Sequence, residues 1–145
     1  MKSAGIIKFN TGKIVLYPKN RVKDSASYAS EPYIIGQNLT YREIAEKLLK
    51  ALEYSIDDAP RPLDWKIIQS NYLKAMGVKT MKALHEGSIN VGVFTKEGNY
   101  YISPTVNKGS RQGFQGNVKD RIIIPLSSSI EELALALEEA FNKSS

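Results

Sequence analysis

Between Thr40 and Ser55 the chain reads TYREIAEKLLKALEYS, and Ile44, Leu48, Ala51, Leu52 and Ser55 recur at the spacing that lines one face of a helix. Between Ser129 and Ser144 it reads SIEELALALEEAFNKS, and Leu133, Leu137, Ala140, Phe141 and Ser144 hold the same places 89 residues on. Both segments open with a capping box, Thr40 with Glu43 and Ser129 with Glu132, in which hydroxyl and carboxylate each satisfy a backbone N–H that the helix itself leaves unpaired. Leu39 is also placed to staple onto Ile44, whereas Ser128 has no apolar side chain to offer Leu133.

The strands repeat too. Gly12 to Pro18 reads GKIVLYP and Gly98 to Pro104 reads GNYYISP. Each follows a polar turn, Asn10-Thr11-Gly12 or Lys96-Glu97-Gly98, and each turn follows a strand pattern, Gly5 to Phe9 or Ile89 to Phe94. Third strands are expected at Tyr33 to Gly36 and Arg121 to Leu126. The pattern is a β-β-β-α unit written twice, over approximately 5–55 and 87–145, with strand offsets of 86 and helix offsets of 89. Two accounts fit this likeness: an internal duplication, and constraints common to any unit of that order. Between the halves, Asp57-Asp58-Ala59-Pro60-Arg61-Pro62 is hostile to helix, because proline lacks a donor and restricts its predecessor. Trp65, Ile68, Tyr72, Leu73 and Met76 then predict a connecting helix, followed after Gly77 by a short turn at Thr80 to His85, all within 56–86. The expected architecture is α+β in one domain spanning 1–145: an antiparallel sheet of about six strands, two similar helices on one face and a central connecting helix.

Composition narrows the chemistry. The 145 residues are 42% hydrophobic and 24% charged, as in ordinary globular chains, and none is cysteine, so disulfides, thiolate metal clusters and cysteine nucleophiles are excluded. Near the N-terminus only Ile6-Ile7 forms an apolar run, too short for a signal sequence, and no stretch reaches membrane-spanning length, so a cytoplasmic protein with no membrane partner is expected. With His85 as the only histidine, no multi-histidine metal site is possible, and a capping or partly exposed role is expected for it. Asp57, Asp58 and Asp64 have the ligand chemistry for magnesium, but beside prolines they read as turn and cap residues, with Asp64 the expected N-cap before Trp65. No GxxxxGK[ST] loop is present, and the glycines of GSRQGFQG, residues 109–116, open no helix. No enzyme, cofactor or metal is therefore expected.

That glycine-rich loop is still unusual. Lys108, Arg111, Lys119 and Arg121 surround Phe114, expected to be exposed, which suits either a recognition surface or a solvated loop. Tyr100 and Tyr101 must point to opposite faces of their strand, one buried and the other available at an interface. The formal net charge of +5 and pI near 9.3 can attract nucleic acid, anionic lipid or an acidic protein.

The helix EIAEKLLKALEYS, the central tryptophan segment, the strand INVGVFTKEG, the YYISP motif ending at Pro104 and the closing IIIPLSSSIEELALALEEAF together resemble the contact-dependent growth inhibition immunity family, CdiI. That resemblance implies a cytoplasmic, stoichiometric inhibitor whose partner is the C-terminal domain of a cognate CdiA toxin. It further implies that the toxin is a nuclease, a ribonuclease first and a DNase second, blocked by covering its active or substrate site. Such an inhibitor must dissociate slowly, which asks for central aromatic or arginine anchors. Phe114 with Arg111 and Lys108 fits that description, and Asp57, Asp58 and Asp64 fit if the toxin's site is basic. A +5 chain, however, is not steered toward a strongly basic ribonuclease, so an acidic toxin, a local patch or an exposed sheet edge is needed. The competing expectation is a small basic nucleic-acid-binding module with steep salt dependence, and a third, a hydrolase, requires the three aspartates to converge.

Overall fold

The computed structural model describes residues 1–24 and 26–145. Among them the order is β1 (Ser3–Phe9), β2 (Lys13–Asn20), β3 (Tyr28–Ala29), β4 (Ile34–Gln37), α1 (Tyr41–Tyr54), α2 (Trp65–Met76), α3 (Met81–His85), β5 (Ser88–Lys96), β6 (Asn99–Asn107), β7 (Phe114–Gly116), a 3-10 turn at Val118–Asp120, β8 (Ile122–Pro125) and α4 (Ile130–Lys143). The architecture is α+β, as expected. All six expected strands are present, and two short ones, β3 and β7, join them.

The sheet is antiparallel, with order β3-β2-β1-β5-β6-β7 and with β4 added on β2 and β8 on β6. This order is symmetric about the β1–β5 pair. Within the hairpins, Gly5 faces Tyr17 and Ile7 faces Val15, while Gly92 faces Ser103 and Phe94 faces Tyr101. Gly5 and Gly92 thus hold equivalent places, and they are also direct cross-strand partners at the centre of the sheet.

On one face α1 and α4 lie side by side. Ile44, Leu48, Leu133 and Leu137 pack on Ile6, Leu16, Val91 and Ile102, all 2% exposed or less. Each such side chain contributes roughly 1.5–3 kcal/mol by leaving water. Both capping boxes form. Tyr100 joins this core, while Tyr101 points the other way. The serine on each helix face has a matching task. Ser55 Oγ accepts from Ser3 N–H and donates to the Lys19 carbonyl, and Ser144 Oγ accepts from Thr105 N–H and lies 3.1 Å from the Asn90 carbonyl. Each helix C-terminus is therefore pinned to its own hairpin, which explains a polar residue on an apolar stripe.

The connecting segment crosses to the other face. Asp64 caps α2 by accepting from Lys66 N–H, and Gly77, at φ 76°, ends it in the left-handed conformation that glycine adopts without penalty. Helices α2 and α3 cover β1 and β2, enclosing a second core of Ile7, Val15, Tyr17, Met76 and Leu84. Helix α2 buries only Met76 and leaves Trp65 and Ile67 exposed. His85 is more buried than expected, at 8% exposure. Its Nδ1 meets the Met81 carbonyl at 2.8 Å, and its ring stacks on Phe114 at 4.6 Å. No helix of the described residues is long and apolar enough to cross a membrane.

Candidate partner-binding face

The sequence-derived candidates fall in two separate places. Asp57 takes a hydrogen bond from the N-terminal ammonium at 3.0 Å and lies 3.8 Å from Arg21. That hydrogen bond, then the charges of the ammonium and Arg21, hold its carboxyl below the usual range. Asp58 shares an open polar cleft of about 630 Å³ with Asp57 and Arg21, while Asp64 is occupied as the α2 cap. The aspartates therefore do different work, and among the described residues no group of three or more His, Asp or Glu side chains is placed to hold a metal ion. The convergence that a hydrolase would need is not there.

Lys108 and Arg111 are exposed on the β6–β7 connection, whose chain is folded by Lys108 N–H to the Gly113 carbonyl and Gly113 N–H to the Gly109 carbonyl. Phe114, expected to be exposed, instead sits in β7, half-buried, with its ring stacked on His85. It forms a wall rather than a free anchor.

What that wall borders is a partly uncovered strip of the second sheet face. Helices α2 and α3 cover Ile7, Val15 and Tyr17, and α3 also reaches the start of β5. Of the outward positions of β5 and β6, Asn90, Ser103 and Thr105 are buried, while Gly92, Phe94 and Tyr101 are partly exposed. A cleft of about 210 Å³ opens here over Gly92, between Phe94, Phe114 and Lys19. Its floor is bare: a Cβ placed on Gly92 would meet nothing within 4 Å. Phe94 and Tyr101 stack almost parallel, 4.8 Å apart at 4°, and the Arg121 guanidinium lies 5.3 Å from the Phe94 ring centre while its Nε–H donates to Ser103 Oγ at 3.0 Å. Lys19 borders this cleft and also a neighbouring groove of about 350 Å³ against Tyr28, Trp65 and Tyr72. Burial pulls its ammonium below the ordinary lysine value. Among the described residues neither Lys19 nor Arg121 has a carboxylate partner. The strip thus sets two cations beside stacked aromatic rings at a partly exposed surface, a combination suited to recognition.

The model of the family described as CDI immunity protein, CdiI, matches residues 20–144. The chain belongs to that family. No curated protein gives a significant match. Two solved structures share the fold, each covering 99% of this chain. A Neisseria meningitidis protein of unknown function, 95% covered, gives a TM-score of 0.79 at 19% identity. The second, 97% covered, is the CdiA-CT/CdiI toxin and immunity complex from Yersinia pseudotuberculosis, with a TM-score of 0.77 at 18% identity. The CdiI match spans the connecting segment, both cleft-lining hairpin strands of the second half and the closing helix.

From sequence, Arg121 is a cation of the loop and the first residue of an expected strand, and Phe94 the last residue of another; neither these patterns nor those of Gly92, Ser103 and Lys19 mark a shared site. A signal was present. Alternation in β5 gives an apolar face of Ile89, Val91 and Val93 and an opposite face of Asn90, Gly92 and Phe94, which no core would choose.

Proposed function

We propose that this chain is the immunity partner of a contact-delivered toxin: it binds the C-terminal domain of its cognate CdiA in the cytoplasm and covers that domain's active or substrate site without turning anything over. The observation that carries this reading is the family match over residues 20–144. The toxin is proposed to be a nuclease, with ribonuclease favoured.

The partly uncovered strip is the proposed contact surface, with Phe114 as its wall and Lys108 and Arg111 on its rim. Asp57 and Asp58, on their own cleft, and Asp64, at the start of α2, are proposed as separate acidic contacts for any basic part of the toxin. A standard interface needs about 800 Å² from each partner, roughly a tenth of this chain's 8114 Å² of surface, and the strip with the adjoining α2 groove supplies a centre for it. Lys19 and Arg121 favour an acidic toxin surface at that centre, which reconciles a net charge of +5 with binding.

The test is co-purification with the CdiA C-terminal domain encoded beside this chain, followed by a nuclease assay of that domain with and without equimolar immunity protein. A stable complex with lost activity is expected. One observation favours a second reading: Arg121 over Phe94 and Phe94 on Tyr101 resemble the cation and stacking platform that single-stranded nucleic acid uses. That reading requires steeply salt-dependent RNA binding and no toxin complex.

A further inference from the structure

The two central glycines occupy equivalent places in the two halves, yet their surroundings differ completely. At Gly5 the Tyr17 side chain, from the facing strand position, covers the glycine so closely that a Cβ there would fall 2.6 Å from Tyr17 Cζ. At Gly92 the facing position is Ser103, and the same space is open. Gly92 lies in ordinary strand conformation, not among the positive-φ glycines, so no backbone demand accounts for it. Glycine inside a strand weakens it and marks where another group comes close. In the first half that group is the molecule's own tyrosine.

We infer that Gly92 is the seat for one aromatic side chain of the toxin, placed on the strand as Tyr17 is placed on Gly5, with a carboxylate of the toxin beside it facing Lys19 and Arg121. This rests on the immunity reading and specifies its central contact. The cleft of about 210 Å³ holds one ring and falls below the roughly 300 Å³ at which ligand pockets begin. Its walls, Phe94 and Phe114, present ring surfaces suited to offset or edge contacts with a further aromatic. The carboxylate follows from charge: Lys19 lines the cleft and Arg121, over Phe94 and bonded to Ser103, stands beside it. Neither has an acidic neighbour among the described residues, so an ion-paired hydrogen bond for either comes only from a partner. Gly92 is also the central strand partner of Gly5, and a partly buried seat of this kind is where desolvated anchors contribute most to binding.

The experiment is a titration calorimetry comparison of wild type, Gly92→Ala, Gly92→Val and Lys19→Met against the C-terminal domain of the CdiA encoded beside this chain. Thermal melting of each variant serves as the folding control. Gly92→Val is expected to melt no lower than wild type and to bind about 30-fold or more weakly, with Gly92→Ala intermediate. Lys19→Met is expected to bind more weakly and to flatten the salt dependence. An alanine scan of the toxin's Phe, Tyr, Trp and His residues should find one whose removal weakens binding to wild type but not to Gly92→Val. Wild-type affinity in Gly92→Ala and Gly92→Val, or a scan with no such coupled aromatic, overturns the seat while leaving the immunity function standing. If wild type ignores the toxin domain but binds single-stranded RNA, the function itself falls and the seat for a toxin side chain falls with it.

Discussion

The sheet faces of the two halves differ where their helix faces agree. Under α1 and α4 both halves bury the same kinds of residues at matching positions. On the opposite side, Ile7, Val15 and Tyr17 of the first half are roofed by α2 and α3, while at the corresponding places of the second half Phe94 and Tyr101 stay partly exposed and only Ser103 is buried. One backbone frame serves for packing in one half and is left partly available in the other. The connecting segment is what breaks the symmetry, because its helices bury the apolar side chains of the first half and reach the second only at its edge, through α3 and His85. Specificity for a partner can therefore change on the partly exposed half while the shared core stays fixed.

The largest effect tests the part that agrees. Leu48 and Leu137 are fully buried, 89 residues apart, on the two similar helices. Leu48→Ala and Leu137→Ala should each lose roughly 2–5 kcal/mol in urea unfolding, with comparable losses at the two sites. If one costs little, that half's helix does not carry the core, and the equivalence of the two halves breaks at its strongest point.

The glycine pair tests the part that differs. Gly5→Ala drives a methyl into Tyr17, which is 4% exposed and held between Tyr33 and Tyr72. Overpacking there should cost about 1–3 kcal/mol. Gly92→Ala meets open space and should stay within about 0.5 kcal/mol of wild type. Equal effects in the two variants would mean that the faces are packed alike, and the contrast would be lost.

Much of this frame was legible because it depends on local chemistry. Capping boxes, helix stripes, tight turns and alternating strands announce themselves over a few residues, and Asp64 and Gly77 bounded α2 where a cap and a left-handed residue were needed. The strand order was not legible, since it is set by which apolar faces meet at long range. Phe114 was misjudged for the same reason: its partner His85 lies 29 positions away, and polar neighbours in sequence concealed a neighbour in space. The seat at Gly92 required comparing what lies above two equivalent glycines, and only the packed helices reveal that.

A smaller effect separates the roofed half by pH. Burial raises the Tyr17 phenol well above its ordinary 10.0, raises Tyr72, and brings Tyr33 to about 12. Between pH 10 and about 12 the folded chain thus holds phenol protons that the unfolded chain releases, so stability present below pH 10 is lost as pH rises through that window. Tyr17→Phe removes the hydroxyl that meets Tyr72 at 3.3 Å. It should cost about 0.5–1.5 kcal/mol at neutral pH and make alkaline unfolding shallower. An unchanged alkaline slope would show that the tyrosine cluster is not the group being titrated.

The smallest effect has the opposite sign, and it sharpens the contrast most. Lys19 extends from the roofed hairpin toward the open one, and burial lowers its pKa from 10.5. The unfolded chain therefore binds the Lys19 proton more tightly than the folded chain does. Its penalty on folding is present below the folded value and fades as pH approaches 10.5, so wild-type stability should rise slightly over that range before the tyrosines reverse the trend. Lys19→Met removes the buried charge but keeps the apolar stem, and should stabilise the free protein by less than about 1 kcal/mol. A charge retained at a cost to its own fold is what a binding surface shows when the compensating group belongs to the partner. Urea unfolding of Lys19→Met beside its toxin affinity decides the matter: a gain in stability with a loss of binding assigns Lys19 to the interface, and a loss of both makes it part of the scaffold.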